Sequence, residues 1–334
     1  MAKFSIILPV RNGGSYVKEC VNSILSQTHA DFNFIILDNC STDGTYEWLG
    51  AIADKRINII RSETALTIEE NWGRIKDVEK NEFITLIGHD DILYPDFLQT
   101  INEMIKTHPG AGLYHTHFNF INASGRTIRT AKPMREVYTG SEFLEAFLSH
   151  TIESMGTGYA MRSKDYDRLG GIPVKYPNLL FADFELWVSL VGKGFIAISP
   201  KNCFAFRVHH GTTSSSADKI LHRALQIFID FLAGLKPADE NMGNAIHRQG
   251  ATFLLNCCKS YAHRLLRSPL KNREGVTVAK FIQQTKLWAE KLGVADSYLP
   301  EKNASLKLAA FIDRSSLLRR LFLFVKKIYP KPIL

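Results

Sequence analysis

Long apolar runs are what this chain most plainly lacks. No stretch approaches the ~20 consecutive apolar residues that a membrane-spanning helix requires, so no spanning segment is expected. Cysteine is sparse and unpatterned. Cys20, Cys40, Cys203, Cys257 and Cys258 contain no C-x-x-C pair and no metal-ligand spacing. That excludes a disulfide scaffold or a zinc module and reads as reduced, mostly buried thiols of a cytoplasmic protein. Met1-Ala2-Lys3 runs straight into a strand-like stretch, which leaves no room for a secretory leader. Glycine-rich phosphate loops are missing as well. Arg11-Asn12-Gly13-Gly14 does not have the G-x-G-x-x-G order, and no G-x-x-x-x-G-K-[ST] occurs, which argues against dinucleotide-dependent hydride transfer and against P-loop ATP hydrolysis. The last third is poor in acid: residues 217–334 hold 20 Lys and Arg against 9 Asp and Glu, whereas residues 1–216 hold 21 against 24. The net charge of +8 therefore comes from the C-terminal third. This asymmetry predicts two modules, 1–216 and 217–334, with an anionic partner for the second. Nucleic acid is disfavoured as that partner, because no zinc, helix-turn-helix or RNP signature accompanies the charge.

What is present is an ordinary globular composition, 45% hydrophobic and 22% charged over 334 residues, with ample material for a core. Short apolar runs alternate with amphipathic helical patterns: strand-like at 4–10, 32–37, 57–60 and 83–87, helical at 15–27, 46–53 and from 67, where Thr67-Ile68-Glu69-Glu70 has capping-box spacing. Such alternation predicts βαβ units and a parallel sheet. A helix is expected over 95–108, a hairpin from 113–121 and 127–131 around Asn122-Ala123-Ser124-Gly125, and a helix near 139–149. A glycine-punctuated strand is expected at 155–162, a helix from 181, and separate β stretches at 195–198 and 203–208. Ser214-Ser215-Ser216 marks the expected module boundary.

The organising stretch is Phe83-Ile84-Thr85-Leu86-Ile87-Gly88-His89-Asp90-Asp91, a buried-strand pattern that ends in two adjacent carboxylates. Ligands of open α/β sheets sit beyond the carboxyl ends of the strands. Two Asp side chains there can hold a divalent cation that carries phosphates. The alternative is that Asp90 only caps the following helix.

The series Ile7-Leu8-Pro9-Val10-Arg11-Asn12, then Asp38-Asn39-Cys40-Ser41-Thr42-Asp43-Gly44-Thr45, then Asp90-Asp91, then Asp183 ahead of Leu186-Trp187 resembles family 2 glycosyltransferases, over about residues 3–216. The resemblance implies a GT-A fold, a mainly parallel twisted sheet flanked by helices, here with a helical C-terminal extension. It implies an inverting, metal-dependent transfer of a sugar from a nucleotide-diphosphate-sugar donor to an acceptor hydroxyl. It makes Pro9, Arg11 and Asn12 the floor under the nucleotide, Asp38 an acceptor for base or ribose, and Asn71 a further nucleotide contact. Asp38 read without the resemblance is an Asx-turn residue; Asp43 is read as capping the helix at Tyr46. Asp90 matches the last acid of the family's D-x-D signature, but Gly88 stands at the first. Asp91 or His209 would complete the ligand set for Mg²⁺ or Mn²⁺, a cation that keeps waters and needs few carboxylates. Asp183 would be the general base. The family's usual Glu-Asp pair is Ala182-Asp183 here, with Glu185 the second choice of base. Arg207-x-His209 followed by Ser214 looks like the closing loop, with Arg207 on phosphate oxygens and His209 on metal or phosphate. His89, His115, His117, Trp72 and Trp187 are read as structural.

The C-terminal third reads as helices over 218–235, 241–266, 277–292 and 305–328, the last one apolar and basic by turns. Two occupants stay open for it: an anionic membrane surface on the cytoplasmic side, or a packing partner, in the same subunit or a dimer mate. The resemblance points to surface polysaccharide or glycolipid assembly on a lipid-linked glycan acceptor. The competing reading from another class is a non-catalytic binding or scaffolding subunit, for which Gly88 and Ala182 speak. A nucleotidyltransferase would need a basic, glycine-rich phosphate loop that is absent.

Overall fold

The computed structural model describes residues 2–208, 218–270, 273 and 275–328. The chain divides into two compact units, Met1–Phe143 with Ile152–Ser215, and Leu144–Thr151 with Ser216–Leu334.

The first unit is an α/β sheet domain. In chain order its elements are β1 (Phe4–Val10), α1 (Gly14–Leu25), β2 (Phe32–Asp38), α2 (Thr45–Gly50), β3 (Ile57–Arg61), α3 (Ile68–Gly73), β4 (Phe83–Leu86), β5 (Ile92–Leu93) and α4 (Phe97–Thr107). Then come β6 (Leu113–Ile121), β7 (Thr127–Thr130), β8 (Val137–Thr139), α5 (Gly140–Leu148, shared with the second unit), β9 (Tyr159–Arg162), α6 (Ser163–Arg168), α7 (Ala182–Val191) and β10 (Phe195–Arg207). The strands form one sheet in the order β3-β2-β1-β4-β9-β6-β10-β5, with β7 beside β6 and β8 beside β10. β1, β2, β3 and β4 are mutually parallel, as are β6 and β10, while β9 runs antiparallel between β4 and β6. Every residue of β1 and β4 is buried, which is why both read as unbroken apolar runs. Pro9 is tolerated in a central strand for a geometric reason. The carbonyls of Lys3 and Ile7 accept from β4 and Ile87, so Pro9 faces the same side, beyond the end of β4, where no backbone N–H is needed.

One alternative and three expectations need correction. No helix follows Asp90. The chain enters β5 instead, and α4 starts only at Phe97 behind Asp96, so the acidic pair is not a helix cap. The strand expected from Met155 starts at Tyr159, because Gly158 has φ of +86° and a Cβ there would lie 2.1 Å from the Phe204 ring. The two β stretches at 195–198 and 203–208 are one strand, β10, carrying a bulge between Ser199 and Phe204.

The fourth lies in the second unit, which holds α8 (Asp218–Ala238), α9 (Glu240–Arg267), α10 (Val278–Leu292), α11 (Ala304–Asp313) and α12 (Ser316–Ile328). The single helix expected over 305–328 is broken at Arg314-Ser315. Asp313 is drawn off to accept from Arg273 at 2.5 Å and from the Val278 N–H at 2.8 Å. Ser315 then accepts from the Leu318 N–H at 3.3 Å as the cap of a new helix. The core of this unit is aromatic, with Tyr261 stacked on Phe281 at 4.1 Å and Trp288 edge-on to Phe281.

Candidate active site

The site lies beyond the carboxyl ends of β1, β2 and β4, and is built from three backbone segments. The first is the turn after β1. Asn12 adopts φ of +51°, its N–H donates to the Ser41 hydroxyl at 3.0 Å, and its side-chain oxygen accepts from the Thr42 N–H at 2.9 Å. Asn12 thus braces the loop after β2. Arg11 beside it is exposed. Asp43 accepts from the Gly14 N–H at 3.0 Å and from the Thr45 N–H at 3.0 Å, which holds its carboxyl below the ordinary value and ties the loop to α1 and α2.

The second segment is the end of β2. Asp38 is fully buried. One carboxylate oxygen accepts from the Ser41 N–H at 3.2 Å and lies 3.5 Å from the Arg61 guanidinium. The other oxygen, Oδ1, is buried with no hydrogen-bond donor among the described residues. A buried carboxylate oxygen without a donor is costly, and a ligand N–H or O–H would relieve it. Beneath it, Arg74 donates to the Asp38 carbonyl at 3.3 Å, the Ile60 carbonyl at 2.7 Å and the Asn71 side-chain oxygen at 2.9 Å. Asn71, buried, also donates to the Leu37 carbonyl at 3.4 Å, so both ends of its amide are held by protein.

The third segment is the acidic turn after β4. Asp90 is partly exposed and Asp91 buried. Both carboxylates border the space beside Gly88, with Asp91 Oδ2 3.5 Å from where a Cβ would lie. Asp91 Oδ1 accepts from the Arg207 N–H at 2.9 Å and Oδ2 from the Thr157 hydroxyl at 2.5 Å. Burial and the adjacent Asp90 charge nevertheless push its carboxyl well above the ordinary value. The Asp90 carboxylate folds back over Gly88, where Asp90 Oδ1 lies 2.9 Å from the position a Cβ would take. The missing first acid of the signature thus has a steric correlate: the space is filled by the Asp90 side chain itself.

Thr157 is the hub that sequence reading missed. Its hydroxyl accepts from the Gly88 N–H at 3.3 Å while donating to Asp91. The neighbouring Gly156 lies against Asp183, whose Oδ2 would be 3.6 Å from a Cβ at that position. The 156–158 loop thereby brings the base candidate alongside the acidic turn. Only the small residues of Gly156-Thr157-Gly158 hinted at it. Asp183 sits in the first turn of α7, just after Phe181 at φ of +71°, and Asp183 Oδ1 accepts from the Phe184 N–H at 2.8 Å. Burial raises its carboxyl to about 6. Glu185 is held by Tyr176 and by Lys175 at 2.8 Å, facing away from this cluster.

Arg207 ends β10 fully buried. Its guanidinium donates to the carbonyls of Asp90, Asn122 and Ala123 and to Glu19 at 2.7 Å, and lies 4.6 Å over the Tyr16 ring. All three guanidinium nitrogens meet protein acceptors, so Arg207 clamps the acidic turn to the hairpin and α1. His209 and Ser214 lie outside the described residues. No cluster of three metal-ligating side chains occurs among the described residues. His115 and Trp187 both stack on Tyr159, at 3.9 Å and 4.4 Å, and are core residues.

A mostly parallel sheet with carboxylates at the carboxyl ends of its strands fits the GT-A class of α/β folds. Residues 5–169 match the model of glycosyl transferase family 2, and the chain belongs to that family. It is 27% identical over 123 residues to the glycosyltransferase GlyG of Streptococcus pneumoniae, spanning 36% of this chain and 41% of that protein. It is 23% identical over 237 residues to the UDP-Glc:alpha-D-GlcNAc-diphosphoundecaprenol beta-1,3-glucosyltransferase WfgD of Escherichia coli, covering 68% of this chain and 86% of the relative. The fold matches that of TarS 1-349 of Staphylococcus aureus in complex with UDP-GlcNAc, with a TM-score of 0.60, 15% identity, and coverage of 93% and 91% of the two chains.

Proposed function

We propose that this glycosyltransferase moves a sugar from a nucleotide-diphosphate donor, with inversion, to a hydroxyl of a lipid-linked glycan in surface polysaccharide assembly. The observation that carries the reading is Asp183, a carboxyl raised to about 6 and set beside the Asp90–Asp91 turn across Gly156-Thr157. Such a group is ionised at neutral pH yet basic enough to take the acceptor proton as the hydroxyl attacks. One general base and a leaving diphosphate on the opposite face suffice for an inverting displacement, and Glu185, the other carboxylate of α7, is already paired.

Asp38 Oδ1 would accept from the base or ribose, with Arg11 at the rim and Pro9, Asn12 and Asn71 shaping the crevice. A hard divalent cation fits the donor set. Asp90 offers carboxylate oxygens near solvent, and Mg²⁺ or Mn²⁺ needs only one or two carboxylates beside phosphate oxygens and water. When bound, it would offset charge on the leaving diphosphate. Asp91 would act behind Asp90, its hydrogen bonds to Thr157 and Arg207 holding the turn in place. The UDP named for TarS and WfgD makes uridine the first base to test.

The test is a thermal-shift series with UDP, GDP, CDP and dTDP, with and without Mn²⁺, followed by donor hydrolysis. A single diphosphate should raise the melting temperature, more so with metal, and Asp90→Ala should remove the metal increment. A protein that responds to no diphosphate under any condition is not a nucleotide-sugar transferase. Binding with no turnover would favour the binding-subunit reading that Gly88 and Ala182 suggest.

A further inference from the structure

Helix α12 is built the wrong way round for a helix that packs by its apolar face. Its buried residue is an arginine: Arg319, 8% exposed, which donates to the carbonyls of Leu266 and Ser268 and so caps the end of α9. With Arg319 turned inward, the opposite stripe faces outward. That stripe is Leu317, Leu321, Phe324 and Ile328, at spacings of four, three and four residues along one helix face. Leu317 is 73% and Phe324 61% exposed, and Leu321 and Ile328 are exposed beside them. Arg320 and Lys327, both exposed, border the stripe seven residues apart on one flank. From Arg314 to Ile328 the chain has no acidic residue. Leu308 and Phe311 of α11 add exposed apolar surface.

We propose that α12 lies in the plane of an anionic phospholipid surface, with the Leu317–Ile328 stripe among the acyl chains and Arg320 and Lys327 at the headgroups. Two observations favour lipid over a second copy of the chain. The basic flank has no acidic counterpart on α12 with which a symmetry mate could pair. The apolar face, which Val325 widens on one side, is edged on the other by long cationic side chains, which can extend to the headgroup level while their stems stay in the apolar layer. The orientation is set inside the second unit by Arg319, so the face is presented before any lipid is met.

The experiment uses the full chain without donor or acceptor, which keeps it independent of the transferase reading. Sedimentation is measured with phosphatidylglycerol–phosphatidylcholine vesicles and with phosphatidylcholine alone. The full chain should bind the mixed vesicles, bind the neutral ones far less, and weaken with salt. Arg320→Ala with Lys327→Ala should lower affinity roughly tenfold or more, as each basic group near the surface contributes separately. Leu321→Ser with Phe324→Ser should abolish binding, while circular dichroism and the melting temperature stay at the parent level. Failure of the full chain to bind anionic vesicles overturns the proposal. So does equal binding to neutral vesicles, or binding indifferent to both double variants. If the full chain is a dimer that Leu321→Ser with Phe324→Ser converts to monomer without any vesicle binding, the face belongs to a second copy and the proposal is wrong.

Discussion

Replacing Asp183 by Asn should stabilise the folded protein while removing most of its turnover. The Asp183 carboxyl is raised from 3.8 to about 6 by burial, so the folded protein holds this proton more tightly than the unfolded chain does. That preference favours folding in full below pH about 4, and it is lost as pH rises through about 6. At pH 7.5 the ionised carboxylate sits in a desolvated recess at a cost of up to ~3 kcal/mol, from about two units at 1.36 kcal/mol each. Residual contact with solvent reduces that to about 1–2 kcal/mol. Asn is nearly isosteric and its carbonyl oxygen can still accept from the Phe184 N–H, so the charge goes and the bond stays. The variant should therefore melt a few degrees higher than the parent at pH 7.5. The difference should shrink to nothing near pH 4. Turnover should fall ~10²–10⁴-fold, the usual share of general-base catalysis. The parent's activity should rise through an apparent pKa near 6, as the base must be ionised. Matched melting scans across this pH range and initial rates on one donor check both halves. A variant of unchanged activity, or one that is less stable at pH 7.5 and no different in its pH dependence, refutes the reasoning.

Gly88→Asp, which restores the first acid of the family signature, should lower activity rather than raise it. The new Cβ would meet Asp90 Oδ1 at 2.9 Å and displace the carboxylate expected to serve the metal; metal titrations of the rate check this. Gly158→Ala should destabilise the protein by ~2–4 kcal/mol, as a Cβ at φ of +86° would enter the Phe204 ring, and denaturant melts of the two proteins would show it. Chelation should abolish turnover, with Mg²⁺ or Mn²⁺ restoring it, and Asp90→Ala should reproduce the chelated rate without a loss of melting temperature.

Elements whose signal is local were legible from the residues alone. The buried runs of β1, β2 and β4 have no polar alternation because both faces of those strands are covered. The capping box at Thr67 and Glu70 forms as its spacing implies, with bonds of 3.2 and 2.8 Å. The hairpin of β6 and β7 follows from its turn residues. What failed were endings and neighbours. The break at Arg314-Ser315 depends on Asp313 being recruited by Arg273, forty residues away. The late start of β9 depends on an aromatic ring supplied by β10.

The class of the protein and the candidate carboxylates could be read from the residues alone. Strand patterns, Asp38, Asp90 and Asp183 are all local features, placed at strand or helix ends by burial and backbone preference. What each carboxylate can do depends on contacts made by distant segments. Asp90 and Asp91 are adjacent and chemically identical in the sequence. Thr157 and the Arg207 N–H, from segments 66 and 116 residues away, hold Asp91 inward. Asp90, against Gly88, keeps its place near solvent. Likewise α12 shows the same basic, apolar pattern whichever face is buried. It is the bond from Arg319 to the end of α9 that turns the apolar stripe outward. Ionisation and exposure depend on the low-dielectric surroundings and donors that distant segments bring together, and no local pattern of residues encodes those.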